Sequence, residues 1–292
     1  MTTRRSFLKT SALLSAGILI APNLFAYDKK YIGLQLYTVR DAMGKDPAAT
    51  LAKVAQIGYN SVEAGYADGK FYGLEGSAFS ALLKQNGLIM PSCHYRLGEE
   101  KTNGVAAAGT ILNGWDKAVD DAAKVGLQYM VCAWLAPSER GSLDHYKQVA
   151  EDLNKGGEIC KKAGIQLCYH NHDFEFIQEN GKYPYEILLA DTDKNLVKME
   201  MDLYWMTKAK QDPIATFNKN PGRFPMLHLK DMDNTDKQMF TEVGSGIIDF
   251  KKILSHADKA GVKYVFVEQD ICPGDPFDSI TKSITYIKKN LV

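Results

Sequence analysis

The sequence has no net charge: 35 Lys and Arg residues balance 35 Asp and Glu. Binding to duplex nucleic acid rests on an excess of basic side chains that neutralise phosphates, and no such patch is present. Apolar runs long enough to span a bilayer are also missing. The five cysteines, Cys93, Cys132, Cys160, Cys168 and Cys272, are odd in number and scattered, without a CxxC pair. That excludes a disulfide framework or a thiolate zinc site as the organising element, and buried free thiols are expected instead. No glycine-rich phosphate loop follows the first apolar run, where Thr38-Val39-Arg40-Asp41 stands. A dinucleotide-binding open sheet normally carries such a loop at that place.

At the N-terminus, Arg4-Arg5-Ser6-Phe7-Leu8-Lys9 and the apolar run Ala12 to Ala21 form a twin-arginine export signal. Cleavage is expected near Ala26, giving a leader of residues 1–26 and a mature chain of residues 27–292. The segment has no cysteine, so a lipid anchor is not expected after the leader is removed. The expected destination is the periplasm or beyond. The mature length is close to the roughly 250 residues of a bare (β/α)8 barrel, so one catalytic domain suffices.

Apolar runs alternate with amphipathic stretches. The expected strands are Ile32–Tyr37, Ser61–Ala64, Ile89–His94, Tyr129–Trp134, Gln166–His170, Val197–Asp202, Met226–Leu229 and Tyr264–Glu268. Helical patterns lie between them, at Pro47–Ile57, Ser77–Gln85, Trp115–Lys124, Leu143–Lys162 and Phe250–Ala260. Glycines 58, 87, 126, 164 and 261 each sit just before the next strand, where a left-handed C-cap turns the chain. Eight such units with short links predict an α/β fold, a (β/α)8 TIM barrel.

In that fold the chemistry collects at the C-terminal ends of the strands. Those ends carry Glu63, His94, His170-Asn171-His172-Asp173, Asp202, His228 and Glu268. Each closes an apolar run, and a charge at the rim of a dry core is costly unless it is paired or bound to metal. Imidazoles and carboxylates arriving from separate strands suit one divalent ion of the Mn, Co, Mg, Fe or Zn type.

Longer motifs point the same way. They are Gly33-Leu34-Gln35-Leu36-Tyr37-Thr38-Val39-Arg40-Asp41, Tyr169-His170-Asn171-His172-Asp173-Phe174-Glu175, Met201-Asp202-Leu203-Tyr204-Trp205, His228-Leu229-Lys230-Asp231 and Val267-Glu268-Gln269-Asp270. With these the chain resembles the sugar phosphate isomerase/epimerase group, the xylose-isomerase-like barrels. The resemblance leans toward the branch of inosose dehydratases and lyases of 3-keto-glycosides. It implies a metal held by His170, Asp202, His228 and Glu268. The epimerases of the group carry Glu where His170 stands, and tend to carry His where Trp205 stands.

The reaction expected is removal of a proton next to a carbonyl that the metal polarises. Loss of a β-substituent then gives elimination, and its reverse gives hydration; reprotonation gives isomerisation or epimerisation. His170 replaces one of the two carboxylates that pass a proton between sugar faces, which favours elimination. His172, Lys230 and Glu268 are the candidate acids and bases. Lys230 could instead simply pair with Asp231 or Asp233, and His172 could bond to a backbone carbonyl. Glu63, His94, Glu175 and Arg40 are candidates for binding hydroxyls, and Trp134 and Trp205 for stacking on a sugar face. The expected partner is a small unphosphorylated carbohydrate, such as a free sugar, keto-sugar or 3-keto-glycoside. Nucleic acid is not expected, and self-association as a homo-oligomer stays open. Rival readings are a non-catalytic sugar-binding barrel and an apurinic-site endonuclease, which would need more ligands and a basic face.

Overall fold

A computed structural model describes residues 31–98, 101–102 and 105–292. The expected leader, residues 1–26, lies outside the described residues. Eight parallel strands close into a barrel: β1 Ile32–Gln35, β2 Ser61–Ala67, β3 Ile89–Tyr95, β4 Tyr129–Cys132, β5 Gln166–His170, β6 Val197–Asp202, β7 Met226–Leu229 and β8 Tyr264–Val267. Each strand pairs with its neighbours in chain order. The barrel shuts where β1 pairs with β8, Leu34 beside Val267, and with β2, Gln35 beside Glu63. Helices cover the outside. No described helix is long and apolar enough to cross a membrane. All five cysteines are free, and four of them are buried.

The helices form where their sequences say they should. The helix Pro47–Ile57 opens on Asp46, whose side chain accepts from the Ala49 amide at 3.0 Å, with Pro47 in the first turn. Its Leu51 and Val54 are buried, each burial being worth about 1.5–3 kcal/mol. Gly58 then ends it in the left-handed region, at φ 110°. The helix Leu143–Lys162 carries Gly156 and Gly157 in its interior, at a cost of roughly 1 kcal/mol each. Packing offsets that cost, because a Cβ on Gly157 would meet the Leu196 carbonyl at 2.8 Å. Expected Phe250–Ala260 is two short helices, Phe250–Leu254 and Ala257–Ala260. The Ser255 hydroxyl donates to the Lys252 carbonyl there, a local bond that competes with the helical ladder.

Three strands stop short of their expected ends. β1 gives way at Gln35 to a 3-10 turn, Leu36–Val39, because the Gln35 side chain accepts from the Tyr37 amide. β4 ends at Cys132 and β8 at Val267, which leaves Trp134 and Glu268 in the loops above the barrel.

Inside the barrel, side chains alternate with period two. Val131, Ala133, Cys168, Met226 and Phe266 make an apolar floor. Gly33 leaves room for it, since a Cβ there would lie 2.2 Å from the Phe266 ring. Two residues further along the chain stand His170 and His228, on the same strands, and Glu268, just past the end of β8. Polar groups therefore sit directly above a dry plug.

After β7 the chain makes a loop that Asp231 ties down. Its Oδ1 accepts from the amides of Met232 at 2.8 Å and Ile248 at 3.2 Å. Its Oδ2 accepts from those of Gly244 at 2.9 Å and Gly246 at 3.0 Å. Asp231 is thus a backbone anchor and does not pair with Lys230, as the sequence allowed. Asp231→Ala leaves four buried or half-buried amides without their acceptor. At about 1 kcal/mol for each lost bond, urea unfolding should show a loss of about 3–4 kcal/mol. A loss below about 1 kcal/mol would mean that water replaces the carboxylate without penalty.

Candidate active site

A layer of carboxylates and imidazoles lies on the apolar floor. Glu200 on β6 is fully buried, and its Oε2 has three imidazole nitrogens around it. These are His170 Nδ1 at 2.9 Å, His94 Nε2 at 3.0 Å and His228 Nε2 at 3.3 Å. Glu63 on β2, also fully buried, contacts His228 Nε2 at 2.7 Å and His94 Nε2 at 2.9 Å, and accepts from Gln35 at 2.9 Å and from Ser92. Burial alone would raise both carboxyls, but the facing imidazoles hold them well below the ordinary range. Burial likewise opposes the charge on His94, yet the Glu63 and Glu200 carboxylates push it up to about 9.

These contacts decide which ring nitrogens remain for a metal. With Nδ1–H of His170 given to Glu200, its Nε2 is left 3.6 Å from Asp202 Oδ2. That separation is too long for a hydrogen bond and suits two ligands of one ion. With Nε2–H of His228 given to Glu63, its Nδ1 lies 2.8 Å from Glu268 Oε2. His170, Asp202, His228 and Glu268 each offer one ligand atom, and all four lie within 4.8 Å of one another. His94, His170, Glu200 and His228 make a second compact set, deeper in the barrel. Its nitrogens are already shared with Glu63 and Glu200, whereas in the outer set His170 Nε2 makes no hydrogen bond. Burial opposes a charge on His228, but the Glu200 and Glu268 carboxylates on its two nitrogens hold it protonated, so a metal there would have to displace the Nδ1 proton. Burial, with His228 nearby, keeps His170 neutral, as a metal ligand must be. Asp202 is pushed up to about 6 by burial, against the pull of the Lys230 ammonium. A divalent cation bound there would lower it further toward the ordinary carboxylate range.

Lys230, the residue after β7, is 1% exposed and is held by three carboxylates: Glu268 Oε2 at 2.7 Å, Asp270 Oδ1 at 2.9 Å and Asp202 Oδ2 at 3.0 Å. Burial works against its charge, and these carboxylates keep it protonated.

Above this layer opens a cavity of about 850 Å³ whose wall includes Arg40, His94, Trp134, His172, Trp205, Lys230 and Glu268. The His172 ring lies 5.4 Å from both Phe174 and Trp205, parallel to the first. Its Nδ1 is buried with no hydrogen-bond partner, so the expected alternative, a bond to a backbone carbonyl, is not made by that atom. Burial, then the Lys230 charge, keeps the ring neutral. Trp134 is flanked by the guanidinium groups of Arg96 at 4.7 Å and Arg140 at 4.8 Å. Arg40 donates to the carbonyls of Tyr37 at 2.9 Å and Asp270 at 3.0 Å.

Two expected hydroxyl-binding residues stand elsewhere. Glu63 is in the layer below, with both oxygens engaged. Glu175 is fully buried behind the cavity wall, where its Oε1 accepts from Tyr169 at 2.6 Å and its Oε2 from the His172 amide at 2.8 Å. Neither lines the cavity. Two residues that the sequence reading did not single out are Glu200 and Asp270. Glu200 was findable: it stands two positions before Asp202 in the strand, and so on the same face. Nothing in the sequence marked Asp270 as a partner of Lys230.

Burial pushes the Glu175 carboxyl up to about 7, although Tyr169 and two backbone amides pull it down. A carboxyl with a raised folded-state value favours the folded state below its unfolded value, and loses that contribution as pH rises through about 7. Glu175→Gln removes the ionisation. The stability of the variant relative to wild type should therefore rise between pH 5 and pH 8, by about 3 kcal/mol at most. Urea titrations at the two pH values measure this; a difference that stays flat or falls would place the Glu175 ionisation elsewhere.

The sequence profile of the xylose isomerase-like TIM barrel family matches residues 51–290. A sugar phosphate isomerase/epimerase from Parabacteroides distasonis is 30% identical in sequence. Its structure superposes with a TM-score of 0.77 over 91% of this chain and 96% of the other. The inosose dehydratase of Clostridium beijerinckii is 30% identical over 165 residues, 50% of this chain and 55% of that enzyme. The chain thus spans about half the length of the curated relatives it matches. The structure of IolI, which carries a bound zinc atom, is 14% identical and superposes with a TM-score of 0.66 over 89% of this chain and 95% of that one, a likeness of fold alone. The closed barrel, the strand-end residues and the profile agree, and the chain belongs to the xylose isomerase-like TIM barrel family.

Proposed function

We propose that this protein is a metal-dependent lyase of an unphosphorylated sugar, a keto-sugar or 3-keto-glycoside in class, working by removal of a proton beside a carbonyl. The observation that carries this is the convergence of four ligand atoms, from His170, Asp202, His228 and Glu268, beneath a cavity of about 850 Å³. These residues would hold the ion. Bound there, a divalent metal polarises a carbonyl and stabilises negative charge beside it. The zinc of IolI and the dehydratase name of the Clostridium beijerinckii relative support the reading from outside.

The chain's own groups supply the rest. His172 is neutral and buried at the cavity wall, with Nδ1 unshared, so it can take or return a proton. Lys230 offers a fixed ammonium for a departing oxygen, and Glu268 a carboxylate beside it. Trp134 and Trp205 present aromatic faces for a sugar ring, and Arg40 lines the cavity beside Asp270. In the elimination, a base takes the proton next to the carbonyl and the β carbon–oxygen bond breaks. The bond's electrons leave with the oxygen, which takes up a proton. His170 has one nitrogen bonded to Glu200 and the other turned to Asp202, so it is not a free base for the second sugar face.

Two outcomes test the metal and the reaction. Asp202→Ala and His228→Ala should each lower bound metal, measured by elemental analysis, and reduce turnover by more than the ~10–100-fold of a change one layer out. Full metal content in both variants would refute the ligand set. Turnover in D₂O followed by NMR should show loss of a leaving group; clean inversion at one carbon with deuterium incorporated would make the enzyme an epimerase.

We also propose export by the twin-arginine route, on the strength of Arg4-Arg5 and the apolar run after them. Replacing both by Lys should retain the precursor in the cytoplasm on fractionation. Unchanged processing would assign it to the general secretory route.

A further inference from the structure

Lys230 uses two of the oxygens assigned above to the metal. Its Nζ is 2.7 Å from Glu268 Oε2 and 3.0 Å from Asp202 Oδ2. An ion coordinated by those carboxylates would stand within a few ångströms of a full positive charge, in a place with little water to screen it. The third partner, Asp270 Oδ1 at 2.9 Å, is outside the ligand set. Asp270 sits in a braced turn: Arg40 donates to its carbonyl at 3.0 Å, and the amide of Gln269 donates to the Thr38 hydroxyl at 3.0 Å. The Trp205 and Phe240 rings have centroids 5.6 and 5.7 Å from Nζ and present faces that attract a cation. The ammonium therefore has partners, Asp270 and two aromatic rings, that lie outside the set of metal-ligand candidates.

From this we infer that Lys230 and a divalent cation compete for Asp202 and Glu268, and that Asp270 is the positioning residue that sets the balance by holding the ammonium when the cation is bound. The inference rests on the reading of His170, Asp202, His228 and Glu268 as metal ligands. It adds what that reading lacks: a built-in rival for the site, and a way to keep that rival at the cavity wall, where a substrate oxygen can use it. A salt bridge with no such role would make the opposite prediction, since removing one member of a buried ion pair normally damages the local structure.

The test is calorimetric titration of the purified chain with Mn²⁺ and, separately, Zn²⁺, which needs no substrate. Lys230→Met should bind the ion at least about tenfold more tightly than wild type, the scale expected when a like charge a few ångströms away is removed. Lys230→Gln should do the same, because it keeps a donor for the carboxylates and loses only the charge. Asp270→Asn should weaken binding severalfold in the wild-type background. In the Lys230→Met background its effect should shrink to less than half, on a logarithmic scale, because the ammonium it restrains is gone. Near-ultraviolet circular dichroism and thermal melting establish that each variant is folded. Unchanged or weaker binding in both folded Lys230 variants overturns the inference, as does an Asp270→Asn effect equal in the two backgrounds. His228→Ala separates the two claims. If it binds metal as well as wild type, the ligand assignment falls, while the Lys230 series still decides the competition. If neither wild type nor Lys230→Met binds either ion, both fall together. Binding that appears only once Lys230 is replaced supports the competition in its strongest form.

Discussion

The site depends on one buried arrangement: Glu200 and Glu63 inside the barrel, each sharing an oxygen among imidazoles. Two carboxylates at zero exposure are costly, and an unpaired one would neutralise itself or disrupt the barrel. The three imidazoles make the arrangement tolerable, and in return the carboxylates fix the rings. Each ring nitrogen bound to Glu200 or Glu63 dictates what its other nitrogen can do. The second nitrogens of His170 and His228 are thereby aimed at Asp202 and Glu268. The geometry of the four candidate ligand atoms is thus set one layer below them, by residues on strands, where packing holds it more firmly than a loop could.

The barrel makes this possible by its two-residue period. Met226 and His228, and Cys168 and His170, are neighbours on one face of their strands, and Glu268 follows Phe266 by the same two positions just past the end of β8. The register staggers the change from apolar to polar between neighbours, so that His228 stands beside both Asp202 and the floor residue Phe266. A slip of one residue in β7 would send His228 outward among the helices and bring an apolar side chain into the layer.

Much of this could be read from the residues. Strand ends carry the chemistry in this fold, so an apolar run closed by His or Asp is informative, and His170, Asp202, His228 and Glu268 do converge. The failures also have physical causes. Glu63 and Glu175 were expected at the substrate because they are charged and near strand ends. Sequence does not show depth, and one more step down a strand, or a 3-10 turn that folds back on Tyr169, puts a carboxylate behind the wall. Lys230 has acidic neighbours at 231 and 233, and sequence proximity suggested them. The backbone amides of the following loop claim Asp231 first, and the true partners come from β6 and the turn after β8. Asp270 meets Lys230 only because β7 and β8 pair side by side and bring the turns that follow them together.

The apolar floor has a consequence for traffic. Val131, Cys168, Met226 and Phe266 separate the carboxylate–imidazole layer from water at the opposite mouth of the barrel. Phe266 is wedged over a glycine that cannot grow without colliding with it. The barrel is thus a vessel closed at one end. Whatever reaches the layer, whether ion, water or sugar, comes by the same opening, and must queue. The last to enter shields those beneath it, so the order in which the contents arrive is written into the shape of the container.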